Sequence, residues 1–155
     1  MTISYHRAED IAVEIATRMR TRTVAQGAET EMGTVVYEGR RFIDDSMIPC
    51  SVLIEGDDAP ARIRLGTEYE VAQRYILFAY VRCDPEHPNR AAHAAIRDMK
   101  RALFLTDDKP SDRFGGKVRS IEYKGRDIGP RADGAAFVVA AIEIVVTYVE
   151  QMTAP

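Results

Sequence analysis

The sequence predicts an α+β domain: a mainly antiparallel sheet of about five strands, with two helices packed on one face. Two observations carry this expectation. Apolar residues recur every three or four positions near the N-terminus and again beyond residue 89, whereas residues 68–82 and 135–150 are rich in β-branched and aromatic side chains at both parities. Strands also arrive in runs separated by single helices, in the order α-β-β-β-α-β-β, a pattern of antiparallel sheets. With 155 residues and 46% hydrophobic composition, residues 1–155 fit one domain that buries about two-thirds of its unfolded surface.

The first helix runs from Tyr5 to about Arg20, with Ala8, Ile11, Ala12, Ile15 and Met19 on one stripe and Ser4 as a candidate N-cap. Residues 21–33 lose that period and read as a loop. A first strand follows near residues 34–43, where Val35, Val36 and Tyr37 cluster, and a second near 49–55, closed by the turn-forming Gly56-Asp57-Asp58. The third strand, residues 68–82, has Val71, Tyr75, Leu77 and Val81 on one parity and Ile76, Phe78 and Tyr80 on the other. Its middle is therefore expected to be buried on both faces.

Asp84-Pro85-Glu86-His87-Pro88 breaks that strand, and Asn89 opens a helix to about Phe104 with Ala92, Ala95, Ile96, Met99, Ala102 and Leu103 as its apolar stripe. A polar loop spans residues 106–116, and Gly115-Gly116 release the chain into a hairpin strand beginning at Val118. Residues 129–134, Gly-Pro-Arg-Ala-Asp-Gly, supply the reversal: proline presets φ, and Asp-Gly accepts positive φ. The last strand, residues 135–150, alternates Val138, Ala140, Ile142, Ile144, Val146 and Tyr148 against Phe137, Val139, Glu143 and Val145.

Charge and composition exclude several function classes. There are 24 acidic and 21 basic residues, a formal net charge of −3, which does not suit a DNA-coating or membrane-surface protein. Neither a signal peptide nor a run of 18 apolar residues is present, so export and membrane spanning are not expected. Cys50 and Cys83 lie in or beside extended apolar segments, as reduced thiols do.

Catalytic and binding motifs are incomplete. Cys83, His87 and His93 are ligand types close in sequence, but two prolines stiffen their segment, His93 belongs to a helix and no fourth ligand is near. A capped strand-to-helix turn accounts for them. His6, His87 and His93 are the candidate bases near neutral pH, yet no serine stands in a G-x-S-x-G elbow. Gly115-Gly116-Lys117 neither follows a strand nor opens a helix as a phosphate loop would, and Asp57-Asp58 and Asp107-Asp108 have turn composition. Arg18, Arg20, Arg22, Arg40, Arg41, Arg62 and Arg64 lack interleaved stacking aromatics, so they read as a solvated mixed-charge face. No catalytic residue, cofactor or metal is expected, and the chain reads as an interaction or structural protein.

From the second strand onward the chain resembles the tail terminator (minor tail protein, tail completion) family of long-tailed phages and prophages. The resemblance rests on the strand from Tyr69 to Val81 leading into Asp84-Pro85 and on the helix ending Ile96-Arg97-Asp98-Met99-Lys100-Arg101-Ala102-Leu103. It continues through Ile121-Glu122-Tyr123-Lys124-Gly125-Arg126-Asp127-Ile128-Gly129-Pro130-Arg131-Ala132-Asp133-Gly134 and closes on Val146-Thr147-Tyr148-Val149-Glu150. It covers roughly residues 49–155; residues 33–45 have no clear place in the family pattern.

The resemblance implies a virion tail protein assembled in the bacterial host cytoplasm. Its partners would be further copies of itself in a homohexameric ring, the tail tube protein and the head-tail connector protein. Geometry permits such a ring: a chain of this size has a radius of gyration of roughly 15 Å, and six equal spheres in a closed ring leave a hole about one sphere wide. DNA would pass without specific binding, because six copies at −3 carry −18 and offer no cationic grip on phosphates. The expected subunit or tube contacts are Asp107, Asp108, Arg113, Phe114, Arg126, Arg131 and Asp133, on the two long connections. The rivals are a neck or head-closure connector and, from another class, a small α+β enzyme or ligand-binding module marked by a closed pocket around histidines.

Overall fold

Two long strands lie side by side inside a five-stranded sheet in the computed structural model, which describes residues 5–63, 66–106, 109–110 and 112–153. The chain order is α1 (Ala8–Met19), β1 (Val36–Glu38), β2 (Cys50–Arg62), β3 (Glu68–Arg82), α2 (Pro88–Phe104), β4 (Leu105–Thr106), β5 (Lys109–Pro110), β6 (Ser120–Ile128) and β7 (Phe137–Gln151). The main sheet has the order β1-β2-β3-β7-β6, and β4 and β5 form a separate two-stranded ribbon. Every pairing in the main sheet is antiparallel except β1 with β2, so the expected α+β architecture holds with a mixed sheet.

Period-2 alternation decides which side of the sheet is core. In β3, Val71, Tyr75, Leu77 and Ala79 are fully buried, and their partners in β7, Tyr148, Ile144, Ile142 and Ala140, are buried beside them. Both helices cover this face: Ile11, Ile15 and Met19 of α1 and Ile96, Met99 and Leu103 of α2 join the same cluster. Pro88 occupies the first turn of α2, where its missing N–H costs nothing. The outer flank of α2 is tied to β6 by Tyr123, whose ring meets Phe104 edge-on at 6.4 Å and lies 4.4 Å from the Lys100 ammonium.

The segment between α1 and β1 is anchored rather than loose. Asp98, fully buried on α2, accepts hydrogen bonds from the backbone N–H groups of Glu29 (3.0 Å) and Thr30 (2.8 Å) and from the Thr30 hydroxyl (2.6 Å). Nearby, Gly33 passes so close to the end of α1 that a Cβ would stand 2.4 Å from the Met19 carbonyl oxygen, which only glycine avoids.

Several boundaries differ from expectation. The first strand has three residues instead of the ten of 34–43, because Gly39 turns at a φ of 78° and the chain must travel back to start β2 parallel to β1. The second does not stop at Gly56-Asp57-Asp58: the register shifts there as a bulge, and pairing with β3 resumes at Asp58 and runs to Arg62. The Gln73 side-chain amide donates to the Gly56 carbonyl at 2.7 Å, satisfying an acceptor that the bulge displaces from the ladder. The loop expected at 106–116 contains the β4–β5 ribbon and a tight turn, and Ser4, the proposed cap, lies outside the described residues.

The third strand also differs: its middle is fully buried on the helix side only, while Ile76, Phe78 and Tyr80 on the other side remain half-exposed.

Two stability effects follow. Ile144→Ala should cost about 2 to 5 kcal/mol, because Ile144 is fully buried under α2, whereas Glu122→Ala, at an exposed site, should stay within about 0.5 kcal/mol. Denaturant melts of the two variants check this, and equal small effects would contradict the burial of β7. Asp98→Ala should cost about 1 to 3 kcal/mol, since it removes the acceptor of three partly buried hydrogen bonds, and hydrogen exchange at Glu29 and Thr30 should accelerate with it.

Candidate functional site

Residues expected at contacts fall into separate regions, and β6 keeps them apart. The 105–119 connection enters this strand and the 129–136 connection leaves it, so they lie at opposite ends of nine residues, roughly 27 Å at about 3.3 Å per residue.

At the entry end, residues 113–116 take four consecutive positive φ values of 55°, 55°, 70° and 82°. Left-handed backbone costs a non-glycine residue about 1 to 2 kcal/mol, so Arg113 and Phe114 carry strain that glycines 115 and 116 do not. Burial offsets it. Phe114 is 0% exposed, beneath the Arg18 guanidinium at 4.9 Å from the ring centre. Glu14 (2.9 Å) and Asp112 (3.0 Å) hold Arg18 in turn, and Lys117 lies 3.6 Å from Glu14. Phe114 is therefore a core residue and not the exposed contact expected of a polar loop, because its ring offers no free surface. Arg113 is exposed, and Asp107 and Asp108 lie outside the described residues.

At the exit end, Arg131 acts as a staple. Its guanidinium donates to the carbonyls of Ala132 (2.8 Å), Ala135 (2.9 Å) and Pro85 (3.1 Å), joining the 129–134 reversal to the turn that precedes α2. Those donors are directed at its own chain, and Asp133 stands exposed beside it. Arg126 is exposed on β6, short of this tip.

A further surface was missed by sequence reasoning: the sheet face opposite the helices. The return segment 39–49 crosses part of it, where Cys50 and Val52 are buried and Arg82 reaches the Ile48 carbonyl at 3.4 Å. Beyond that cover, a depression of about 350 Å³ has Ile76, Phe78 and Ala141 as its floor, with Lys124, Asp127 and Glu143 at its rim. Arg74 bridges the same face, 2.9 Å from Asp57 and 3.5 Å from Glu143. The bonded Asp57 holds the Arg74 guanidinium above its usual range, and that same bond holds the Asp57 carboxyl below its own. The signal lay in the apolar residues at both parities of β3 and β7, where helices cover only one side.

The titratable groups near the β3–α2 turn are dispersed. Cys83 is half-buried with its thiol 3.7 Å from the Ala135 carbonyl, His87 is exposed and His93 lies part-way along α2. Among the described residues, no group of three or more His, Cys, Asp or Glu is arranged to hold a metal, and no helix is long and apolar enough to cross a membrane. The two thiols should differ in reactivity. Burial pushes Cys50 up to about 11, so it stays a thiol at neutral pH, covered by the return segment. One thiol, Cys83, should react with a disulfide reagent in the native protein and the second only on unfolding; two equally fast reactions would contradict the cover over Cys50.

No family model and no curated protein matches the chain. Among solved structures it is similar to a chain of the "Virion of native gene transfer agent (GTA) particle", with a TM-score of 0.55 and 14% sequence identity. The match covers 93% of this chain and 99% of that one, a likeness of fold over nearly the whole length of both.

Proposed function

We propose that this chain is a structural virion protein of the tail terminator type and not an enzyme. In this reading it caps the tail tube as a homohexameric ring, ends tube polymerisation and presents the joining surface for the head. The observation that carries the reading is the fold shared, over nearly the full length of both chains, with a chain of a gene transfer agent virion particle. The resemblance of residues 49–155 to tail terminators supplies the finer assignment.

Two features support an assembly role. The strand pair is apolar at both parities, and the face opposite the helices, covered only in part by segment 39–49, leaves Ile76 and Phe78 half-exposed, which suits a second chain docking there. The two ends of β6 bear separate connections, which suits a ring that meets the tube on one side and the head connector on the other. Arg113 and Asp133 are the exposed members of those ends, and Arg131 positions the tip that carries Asp133. The net charge of −3 per chain agrees with a conduit that lets DNA pass without holding it.

Purified protein should show a light-scattering mass several times that of the 17.3 kDa chain, and it should arrest growth of tubes made from the tube protein of the same genome. Arg113→Glu and Asp133→Arg should keep the ring, with at least one of them losing tube arrest or head joining. A protein that stays monomeric with tube ends present and leaves tube length unchanged would overturn the reading.

A further inference from the structure

Phe42 is the most exposed large hydrophobic residue among those described, at 79%. It lies on the return segment 39–49 at the β1 side of the sheet, preceded by Arg40 and Arg41 and followed by Ile43 and Asp44. The backbone around it is held: Gly39 donates to the Leu53 carbonyl at 2.9 Å, the Arg40 guanidinium lies 4.6 Å from the Tyr37 ring centre, and Asp44 caps the turn Asp45–Met47 through the Ser46 N–H at 2.9 Å. An aromatic ring is thus displayed to solvent from a braced segment, the arrangement of an interface anchor.

The depression on the open sheet face lies toward the opposite edge, where β3, β7 and β6 meet. Its floor is apolar, and it exists because Gly125, at a bulge opposite Glu143 with a φ of 137°, contributes no side chain there; a Cβ would meet nothing within 4 Å. Phe42 is 79% exposed and absent from the lining of the hollow, so knob and hollow do not meet within one chain. Between two copies they can, and a contact joining two different surfaces is heterologous, the type that closes rotational rings. Charge agrees at one point of the rim: Arg41 beside the knob can face Asp127, while Lys124 and Glu143 pair within the chain with Glu122 at 2.7 Å and Arg74 at 3.5 Å.

We infer that Phe42 of one copy inserts into the hollow over Ile76, Phe78 and Ala141 of the next copy, forming the repeating head-to-tail contact of the assembly. This rests on the ring reading above and adds the surfaces that make it. A buried phenylalanine covers about 150 to 250 Å², so it anchors a wider contact between the sheet face and the return segment.

The test uses full-length protein and light scattering. Phe42→Asp changes an exposed side chain, so the variant should keep a wild-type circular dichroism spectrum and a cooperative melt, lowered only by what the lost association contributed, while its mass falls to that of the monomer. Ala141→Glu should do the same from the hollow, with Ile76→Thr as a second hollow variant should Ala141→Glu melt early. Mixing Phe42→Asp with a hollow variant restores one intact contact per pair, so the mixture should form dimers and nothing larger. A wild-type ring that survives Phe42→Asp overturns this contact and leaves the ring reading standing, as would happen if another virion protein occupied the hollow. Single variants that are monomeric and remain so when mixed overturn the head-to-tail pairing. A wild-type chain that never exceeds monomer mass, alone or on tube ends, overturns both.

Discussion

Fifteen consecutive pairs couple β3 to β7, from Glu68 opposite Gln151 to Arg82 opposite Phe137. That ladder sets the side on which every other element must lie. A slip of one residue would turn Tyr75, Leu77, Ile142 and Ile144 away from the helices and put Arg74 and Glu143 beneath them, burying charge in place of hydrocarbon. The stripes of α1 and α2 meet the parity that carries no charge in the centre of either strand. Elsewhere the ladder tolerates irregularity: the bulge at Glu55/Asp58 and that at Tyr123/Gly125 fall in the strands flanking the central pair.

This division explains what was legible in the sequence and what was not. β3 was readable to its exact ends, Glu68 and Arg82, because a long period-2 pattern stops at a proline-rich turn. Both helices were readable from their stripes. The continuation of β2 past Gly56 was not, because a bulge uses the same Gly-Asp chemistry as a turn, and what separates them is whether a neighbouring strand, here through Gln73, takes up the displaced carbonyls. The parallel β1 pairing was also hidden, since three residues carry no period and their position depends on a return crossing of the far face.

The contact residues show the same limit at the level of side chains. Phe114 sits among Gly, Asp, Lys and Pro, a composition that signals a surface loop, yet its ring is core, with Arg18 of α1, held by Glu14, lying across it. Arg131 reads as a subunit or tube contact, whereas three carbonyls of its own chain use its donors. In both cases the deciding partner is remote in sequence, and local composition cannot report it. The uncovered sheet face had a clear signal that was open to a different reading: residues apolar at both parities imply two covers, without saying whether the second comes from the same chain.

The strained turn at 113–116 and the open face bear on one question, where a small chain would keep free energy for the assembly proposed above. A chain of 155 residues with one core is stable by about 5 to 15 kcal/mol. A turn that stores strain of about 1 to 2 kcal/mol per non-glycine residue must be over-determined by packing, and Phe114 with its lid from α1 supplies that inside the subunit. No such compensation exists among the described residues for Ile76 and Phe78, whose burial is left incomplete by the fold itself. In the proposed assembly, folding and association would draw on opposite faces of the same ladder, and a substitution on the helix face should weaken the subunit before it weakens the assembly. On the open face the order reverses, since those side chains contribute little to the isolated fold and their remaining exposed area is lost only when a second surface arrives.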